Sequence, residues 1–242
     1  MACIRGKTIL ITGAARRIGR EIAVHVAKQG ANVIIHHSQS PDHAKETAKL
    51  IRQQGVQAWI VQQDFSDPSA ASGLIEHAWK IQPFFALIHN AAIFEPLRVH
   101  QVTLQSWQRH MDINLTTPFF LSQAFAAKIE SQNQGRVIHI LDWRALRPGA
   151  DHLPYTISKA ALAALTRSLA VALAPNILVN GLALGAILPP SDNLNPKGII
   201  DLVPAGRWAA LDEVGSAIQF LLEGPEYITG EIIHLDGGRH LV

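Results

Sequence analysis

The stretch TILITGAARRIG, residues 8–19, decides the fold of the chain. A short apolar run of strand length leads into a turn that contains Gly13 and Gly19, and a helical pattern follows. Gly30 is typical of the residue after a helix, and residues 32–35 predict a second buried strand. This order predicts a βαβ unit, in which the N-terminus of the helix offers backbone N–H groups to a phosphate.

Strands and helices continue to alternate along the rest of the chain. Further strands are predicted at 58–61, 85–89, 136–141, 177–182 and 231–235, and further helices at 41–54, 69–80, 103–128, 155–173 and 212–222. Residues 183–205, which carry several prolines and asparagines, predict a loop of the type that covers ligands. No linker or low-complexity tract divides the sequence. We therefore expect residues 1–242 to form one α/β domain, a doubly wound Rossmann fold with about seven parallel strands.

Composition indicates a globular protein with a substantial core, because 48% of the residues are hydrophobic and only 17% are charged. The net charge is +2 and no Lys/Arg run is present, which argues against nucleic-acid binding. The single cysteine, Cys3, and the absence of a signal-peptide pattern favour the cytoplasm. The apolar stretch 160–174 is short for a membrane span and contains Arg167. The 12 histidines show no spacing typical of metal ligands, so no metal is expected.

The end of the second strand indicates which dinucleotide is bound. An acid about 20 residues after the glycine turn usually binds the ribose 2′-hydroxyl of NAD. Here residues 36–40 read HHSQS, and the first acid is Asp42. Arg16 or Arg17 could neutralise a 2′-phosphate, with His36 and the serines of this segment adding hydrogen bonds. We interpret this as a preference for NADPH over NADH; the alternative is that the segment is only a polar loop.

A tyrosine and a lysine, Tyr155 and Lys159, follow Pro154 at the predicted start of a helix. Their spacing of four residues places both side chains on one helix face. An ammonium beside a phenol favours the phenolate and lowers its pKa, which is about 10 in isolation. Such a pair can give or take a proton during catalysis. The alternative is that Tyr155 packs in the core and Lys159 is solvated.

Other polar and aromatic side chains follow the ends of predicted strands, where ligands of open α/β sheets bind. Asp64 ends the third strand, Asn90 and Phe94 follow the fourth, and Asp142 ends the fifth. Phe94 could stack on a flat substrate ring, or it could pack in an ordinary loop. Asp142 could act on a ligand, or it could cap a turn. Asn114 lies inside a predicted helix, where asparagine is mildly unfavourable.

Several motifs now coincide in order and spacing: Thr12-Gly13-x-x-x-Arg17-x-Gly19, Asn90-Ala91-Ala92, Asn114, Tyr155-x-x-x-Lys159 and Asp236-Gly237-Gly238. Over nearly its whole length the chain resembles the short-chain dehydrogenase/reductase family. The family's usual serine is replaced by Asp142, and no other serine lies between Asn133 and Tyr155. That replacement, with Arg17 and Phe94, resembles the pteridine reductase branch. The stretches 141–143 and 235–241 are similar to bacterial dihydromonapterin reductases, which also reduce dihydrofolate.

The resemblance implies NADPH-dependent reduction of a pterin C=N bond, taking dihydromonapterin, dihydrobiopterin or dihydrofolate to the tetrahydro form. Tyr155 and Asp142 would manage the proton, Lys159 would bind the nicotinamide ribose and lower the pKa of Tyr155, and Asn114 would hold a water. It implies these cofactor-binding residues: Gly13, Arg17, Ile18, Gly19, His36, Ser38, Ser40, Asp64, Phe65, Asn90, Ala91, Tyr155, Lys159 and Ile187. It implies these substrate-binding residues: Phe94, which would enclose the pterin against the nicotinamide, Asp142, Tyr155 and Arg17. Family members are usually homotetramers.

Two other functions remain as alternatives. One is a 3-oxoacyl-carrier-protein reductase or another carbonyl reductase of the same family, which Asp142 disfavours because a ketone oxygen is better held by a hydroxyl donor. The other is a non-catalytic NADP(H)-binding regulator, which the intact pair of Tyr155 and Lys159 disfavours. Leu184-Gly185 stands where the family usually has Pro-Gly after the sixth strand.

Overall fold

The structure, a computed structural model, describes residues 3–129, 134–188 and 196–242. Its strands are β1 Thr8–Ile11, β2 Asn32–His37, β3 Ala58–Gln62, β4 Ala86–His89, β5 Gly135–Asp142, β6 Ile177–Leu184 and β7 Ile232–Leu235. Its α-helices are α1 Arg17–Lys28, α2 Pro41–Arg52, α3 Ala71–Ile81, α4 Leu104–Met111, α5 Thr117–Ala126, α6 Leu153–Leu173, α7 Pro196–Ile200 and α8 Leu211–Glu223.

The strands form one parallel sheet in the order β3-β2-β1-β4-β5-β6-β7. Side chains of a strand alternate between the two faces of a sheet. Ile9 and Ile11 therefore pack with residues of α1, α2 and α8, whereas Leu10 packs on the other face with residues of α3 and α5. These two buried layers confirm the predicted doubly wound fold. The strand order reverses between β1 and β4, which opens a crevice at their carboxyl ends.

The predicted helix 103–128 is interrupted. A π-helical segment, Asp112–Thr116, separates α4 from α5. Pro118 follows in the first turn of α5 and has no N–H to bond the carbonyl of Asn114, as a continuous α-helix would require. Such π-bulges are frequent at functional sites. The sequence pattern predicted helix on both sides correctly and missed the break between them.

The predicted loop 183–205 is also partly regular. Strand β6 continues to Leu184, and the short helix Pro196–Ile200 lies within the predicted loop. Residues 189–195 of that loop lie outside the described residues. The longer β6 carries Leu184 and Gly185 to the crevice, beside the end of β5.

By length and composition alone, α6 could cross a membrane. Its face with Tyr155, Ser158 and Leu162 is buried, and it packs along β5 and β6. This is the usual position of a core helix in an α/β domain. The same packing brings Tyr155 and Lys159 to the carboxyl end of β5.

Candidate active site

A cleft of about 610 Å³ opens at the carboxyl ends of the strands. Its walls are formed by the glycine turn, by one side of α6 and by four segments at strand ends: residues 36–40, 64–66, 90–94 and 140–142. These walls include every residue predicted to bind cofactor or substrate except Ile187, and every predicted catalytic residue except Asn114. Ile187 is buried in the hydrophobic core, so the structure does not bring it to the cleft. Within the described residues, no group of three or more His, Cys, Asp or Glu side chains could hold a metal ion.

The glycine turn is built for close approach. Gly13 has a φ of +64°, and a β-carbon there would lie 3.0 Å from the Cα of Ala91. A β-carbon at Gly19 would collide with the carbonyl oxygen of Gly13. Arg17, where a middle glycine is common, has a φ of +53°, in the left-handed region that side chains rarely adopt. The turn thus keeps its glycine-like shape at Arg17 and presents a guanidinium at the cleft.

Asn90 joins this turn to the end of β4. Its Nδ2 donates to the carbonyl oxygens of Thr12 at 2.9 Å and Gly13 at 3.1 Å. In return, Thr12 Oγ1 accepts the N–H groups of Asn90 and Ala91, each at 3.0 Å. These reciprocal bonds fix the floor of the cleft between the two strands where the sheet order reverses.

The structure corrects the role predicted for His36. Its Nδ1 accepts the N–H of Gly13 at 3.1 Å, so the ring proton is on Nε2, which donates to the carbonyl of Gln63 at 3.0 Å. The ring stacks on Phe65 with centroids 4.3 Å apart, and burial lowers the pKa of His36 to about 4. Because both ring nitrogens are occupied, His36 supports the glycine turn and has no N–H left for a 2′-phosphate.

The side chains of Asp142 and Tyr155 meet directly. Oδ2 of Asp142 accepts the Tyr155 hydroxyl at 3.0 Å, and Oδ1 accepts the N–H of Arg144 at 2.9 Å. Both meanings predicted for this aspartate therefore apply: it caps the turn after β5 and it faces the tyrosine. Burial raises the pKa of Asp142, and the hydrogen bonds from Arg144 and Tyr155 oppose that rise.

The pKa of Tyr155 is raised in this structure, although Lys159 was expected to lower it. Burial, followed by the charge of Asp142 and the hydrogen bond to it, raises the pKa of Tyr155 well above 10. Lys159 Nζ lies 5.8 Å from the centroid of the tyrosine ring and donates to the carbonyl of Ile140 at 2.7 Å. Burial lowers the pKa of Lys159 to about 8, against the opposing charge of Asp142. Tyr155 is thus held as an O–H donor.

Asn114 acts on the cleft through the segment after β4. From the π-helical segment its Oδ1 accepts the N–H of Ile93 at 2.9 Å. Its Nδ2 donates to the carbonyl of Ile93 at 3.1 Å and to Ser158 Oγ at 3.0 Å. Both amide protons are used in these bonds, and the side chain is buried. Asn114 therefore ties the strand-end loop to α6, and its predicted water-holding role stays a prediction.

Phe94 stands at the mouth of the cleft, with 54% of its surface exposed. Its ring stacks on His152 with centroids 4.0 Å apart and meets the Tyr155 ring edge-on at 4.6 Å. His152 is the residue before α6 and has a φ of +53°. Asp151 Oδ2 lies 3.0 Å from His152 Nδ1, and Asp151 also forms two bonds with Arg144 at 2.7 and 3.2 Å.

Sequence reasoning missed this support around Phe94. The only local signal is that His152 precedes Pro154 and Tyr155 at a helix start, and its stacking partner lies far away in sequence. Arg109 was also missed; it lines the cleft and pairs with Glu95 at 2.6 Å. Both contacts join the segment after β4 to other elements, so they could not be predicted from the sequence pattern of a single segment.

Comparisons with known proteins place this geometry among oxidoreductases. A family model described as enoyl-(acyl carrier protein) reductase matches residues 13–240. The crystal structure of FolM alternative dihydrofolate reductase 1 from Brucella canis, complexed with NADP, is 35% identical, covers 100% of this chain and 97% of that one, and has a TM-score of 0.91. A 3-oxoacyl-[acyl-carrier-protein] reductase from Aquifex aeolicus is 32% identical over 97% of this chain and 98% of its own. A reductase of the same name from Synechocystis is 30% identical over 98% of each.

Proposed function

The chain belongs to the short-chain dehydrogenase/reductase family, and on that basis we propose that it is an NADPH-dependent reductase of a pterin C=N bond. The substrate would be dihydromonapterin, dihydrobiopterin or dihydrofolate. The observation that carries the proposal is the 3.0 Å bond between Tyr155 and Asp142, which puts a carboxyl group where relatives of the family keep a serine. The resemblance to the FolM structure supports the same substrate class.

The cleft suits NADPH. No acid follows β2 within residues 36–40, and Ser38, Ser40, Arg16 and Arg17 all line the wall on that side. These are donors for a 2′-phosphate, whereas a carboxylate there would repel it. At Gly13 and Gly19 a β-carbon would meet atoms of Ala91, Asn90 or the turn itself, so the tight turn at this end of the cleft requires glycine at both positions. The NADP bound to the Brucella canis protein agrees with this choice.

Reduction of a C=N bond adds a hydride to carbon and a proton to nitrogen. The bound cofactor supplies the hydride. The chain must supply the proton, and Tyr155 is held with its hydroxyl hydrogen on oxygen. Asp142, whose pKa is raised by burial, can accept hydrogen bonds from the amidine-like edge of a pterin or pass a proton to the ring nitrogen. A serine hydroxyl in this position could form hydrogen bonds, but it could not carry the negative charge of a carboxylate.

The runner-up is reduction of a 3-oxoacyl thioester, favoured by the names of the Aquifex and Synechocystis relatives. Such a reductase must hold a ketone oxygen with hydroxyl donors. In this site the tyrosine hydroxyl is already directed at a carboxylate, which competes with a ketone for that hydrogen. The third candidate is a regulator that binds NADP(H) without turnover. Such a protein would not need the buried Lys159 and Tyr155, since it transfers no proton.

The test is NADPH oxidation with dihydrobiopterin, dihydromonapterin, dihydrofolate and an acetoacetyl thioester. We expect turnover of pterins and little of the thioester. Asp142→Asn keeps the size and one acceptor oxygen, so it isolates the charge, and pterin kcat/KM should fall by about 100-fold. Asp142→Ser restores the usual family residue and should shift the preference towards the thioester. Turnover of the thioester alone, or unchanged pterin reduction by Asp142→Asn, would contradict the proposal.

Tyr155→Phe separates an enzyme from a regulator. The variant lacks the hydroxyl and keeps the ring that contacts Phe94. An enzyme should lose turnover and still bind NADPH with nearly unchanged affinity. The proposal fails if turnover persists at the level of the unaltered protein.

A further inference from the structure

A cluster of arginines surrounds Trp143, the residue that follows Asp142 at the end of β5. The guanidinium carbon of Arg239 lies 4.8 Å from the centroid of the Trp143 ring, and that of Arg144 lies 5.1 Å from it. Arg147 belongs to the same turn, since its N–H donates to the carbonyl of Trp143 at 3.1 Å, and its side chain is exposed. Arg144 and Arg239 therefore lie against the ring of Trp143, the residue after Asp142, and Arg147 is near enough for its charge to act on Arg239.

Only one of these charges is neutralised by the described residues. Arg144 is held by Asp151 through two bonds of 2.7 and 3.2 Å. Neither Arg147 nor Arg239 forms an ion pair within residues 3–129, 134–188 and 196–242. The nearest acid in sequence to Arg239 is Asp236, whose carboxylate already accepts bonds from the C-terminal turn.

Arg239 is held in place without being neutralised. Its Nη1 donates to the carbonyl of Leu202 at 2.6 Å, which anchors the guanidinium between the C-terminal turn and the segment after α7. Burial and repulsion from Arg147 and Arg144 lower the pKa of Arg239. A bound anion would relieve that repulsion. A fixed guanidinium also loses less conformational freedom on binding a carboxylate than a mobile one.

We propose that Arg147 and Arg239, beside Trp143, form a subsite for a carboxylate on the side chain of the substrate. The inference rests on the proposed pterin reduction, because it takes the ring to bind against Asp142 and the side chain to leave the cleft past Trp143. The substrate class is then a pterin with a carboxylate-bearing tail, of which dihydrofolate is the available example. A pterin with a short uncharged side chain gains nothing from the subsite.

The test compares dihydrofolate with dihydrobiopterin, whose side chain is uncharged, in the unaltered protein and in Arg147→Ala, Arg239→Ala and Arg239→Lys. Losing one charge-assisted bond should raise KM for dihydrofolate about 10-fold, with kcat nearly unchanged. Arg239→Lys keeps the charge and should give an intermediate KM. Kinetics with dihydrobiopterin should change by less than about two-fold, because that side chain brings no charge to the subsite. Added salt should raise KM for dihydrofolate in the unaltered protein and have less effect in the alanine variants.

Arg5→Ala is the matched control. Arg5 is exposed and precedes β1, at the amino-terminal edge of the sheet and away from the cleft, so both substrates should behave as in the unaltered protein. Circular dichroism and NADPH affinity show whether each variant is folded. The subsite is rejected if the arginine variants leave KM for dihydrofolate unchanged or raise KM for both substrates equally. It is also rejected if the unaltered protein reduces dihydrobiopterin and ignores dihydrofolate. If it reduces neither pterin, the proposed function itself fails.

Discussion

At the scale of the residue, Arg17 combines a structural cost with a charge at the cofactor cleft. A side chain in the left-handed region costs about 1–2 kcal/mol, and glycine avoids that cost. The φ of +53° at Arg17 explains why glycine is common at this place of the turn. An arginine at this position is therefore expected to bind a ligand in the cleft, with a binding energy that offsets the backbone strain.

Arg17→Gly should therefore make the protein more stable and a weaker binder of NADPH. We expect the free energy of unfolding to rise by about 0.5–1 kcal/mol, since the relief of strain exceeds the added freedom of the unfolded chain. Urea denaturation and NADPH fluorescence titration measure the two effects. Arg16→Ala is the control: Arg16 has an extended backbone with a φ of −152°, so its loss should weaken NADPH binding without any gain in stability. Reduced stability of Arg17→Gly would contradict the strain argument.

Lys159 is expected to make the activity of the free enzyme depend on pH on the alkaline side of neutrality. Its pKa is lowered to about 8, so the ammonium is present below pH 8 and is lost as the pH rises through that value. We expect kcat/KM, which reports groups of the free enzyme, to fall above about pH 8. Lys159→Arg should move that fall to higher pH, because a guanidinium keeps its proton. A flat kcat/KM between pH 7 and pH 9.5 would show that this ammonium has no role.

At the scale of the element, the sequence predicted most boundaries and missed the contacts between elements. The β1–α1–β2 unit follows from an apolar run, a glycine turn and Gly30, all of them local signals. His36 was misjudged because its ring partners lie 23 and 27 residues away in sequence. The cleft could be predicted from strand ends, while the tautomer of one histidine inside it could not.

The π-helical segment shows the same limit. Residues 103–128 have helical periodicity throughout, and only Pro118 hints at a break. What selects the π geometry is that it brings Asn114 to Ile93 and Ser158, contacts that form only after the chain has folded. Local helical propensity thus predicted the two flanking helices, but it contained no information about the tertiary contacts of Asn114 that accompany the break.

Asn114→Ala should loosen both the π-helical segment and the loop that carries Phe94. Removing the amide leaves the N–H and carbonyl of Ile93 without their partner, and we expect a loss of about 2–3 kcal/mol in unfolding free energy. The control is Ser158→Ala, which removes one of the three bonds of Asn114. It also removes the bond from Ser158 Oγ to the carbonyl of Tyr155 within α6, a type of bond that adds little to helix stability, so the variant should cost about 1 kcal/mol. Urea denaturation measures both, and hydrogen exchange at Ile93 should speed up in Asn114→Ala alone. Equal losses in the two variants would contradict this account.

At the scale of the whole molecule, buried histidines are expected to make the stability of the fold depend on pH. His89 and His139 lie opposite each other on β4 and β5, with ring centroids 4.9 Å apart, and both are buried. Burial, with the charge of Lys159, lowers the pKa of His139 to about 3, and burial holds the pKa of His89 well below 6.5. With His36, three imidazoles therefore stay neutral in the folded protein at a pH where the unfolded chain would protonate them.

The sign of the pH dependence follows from those lowered values. Well above a pH of about 6.5, the ordinary pKa of histidine, the three histidines are neutral in both states and contribute no pH dependence. Below that value these three histidines alone give the unfolded chain up to three more protons than the folded one, so they should make unfolding easier by up to about 4 kcal/mol per pH unit. Urea denaturation at pH 7.0, 6.0 and 5.5 measures this slope. Replacing exposed His77 by Gln should keep the full slope, whereas His139→Asn should reduce it by about one proton. If stability stayed constant between pH 7 and pH 5.5, the buried rings would have to be charged in the folded protein, and the neutral tautomer that holds the Gly13 turn would be wrong.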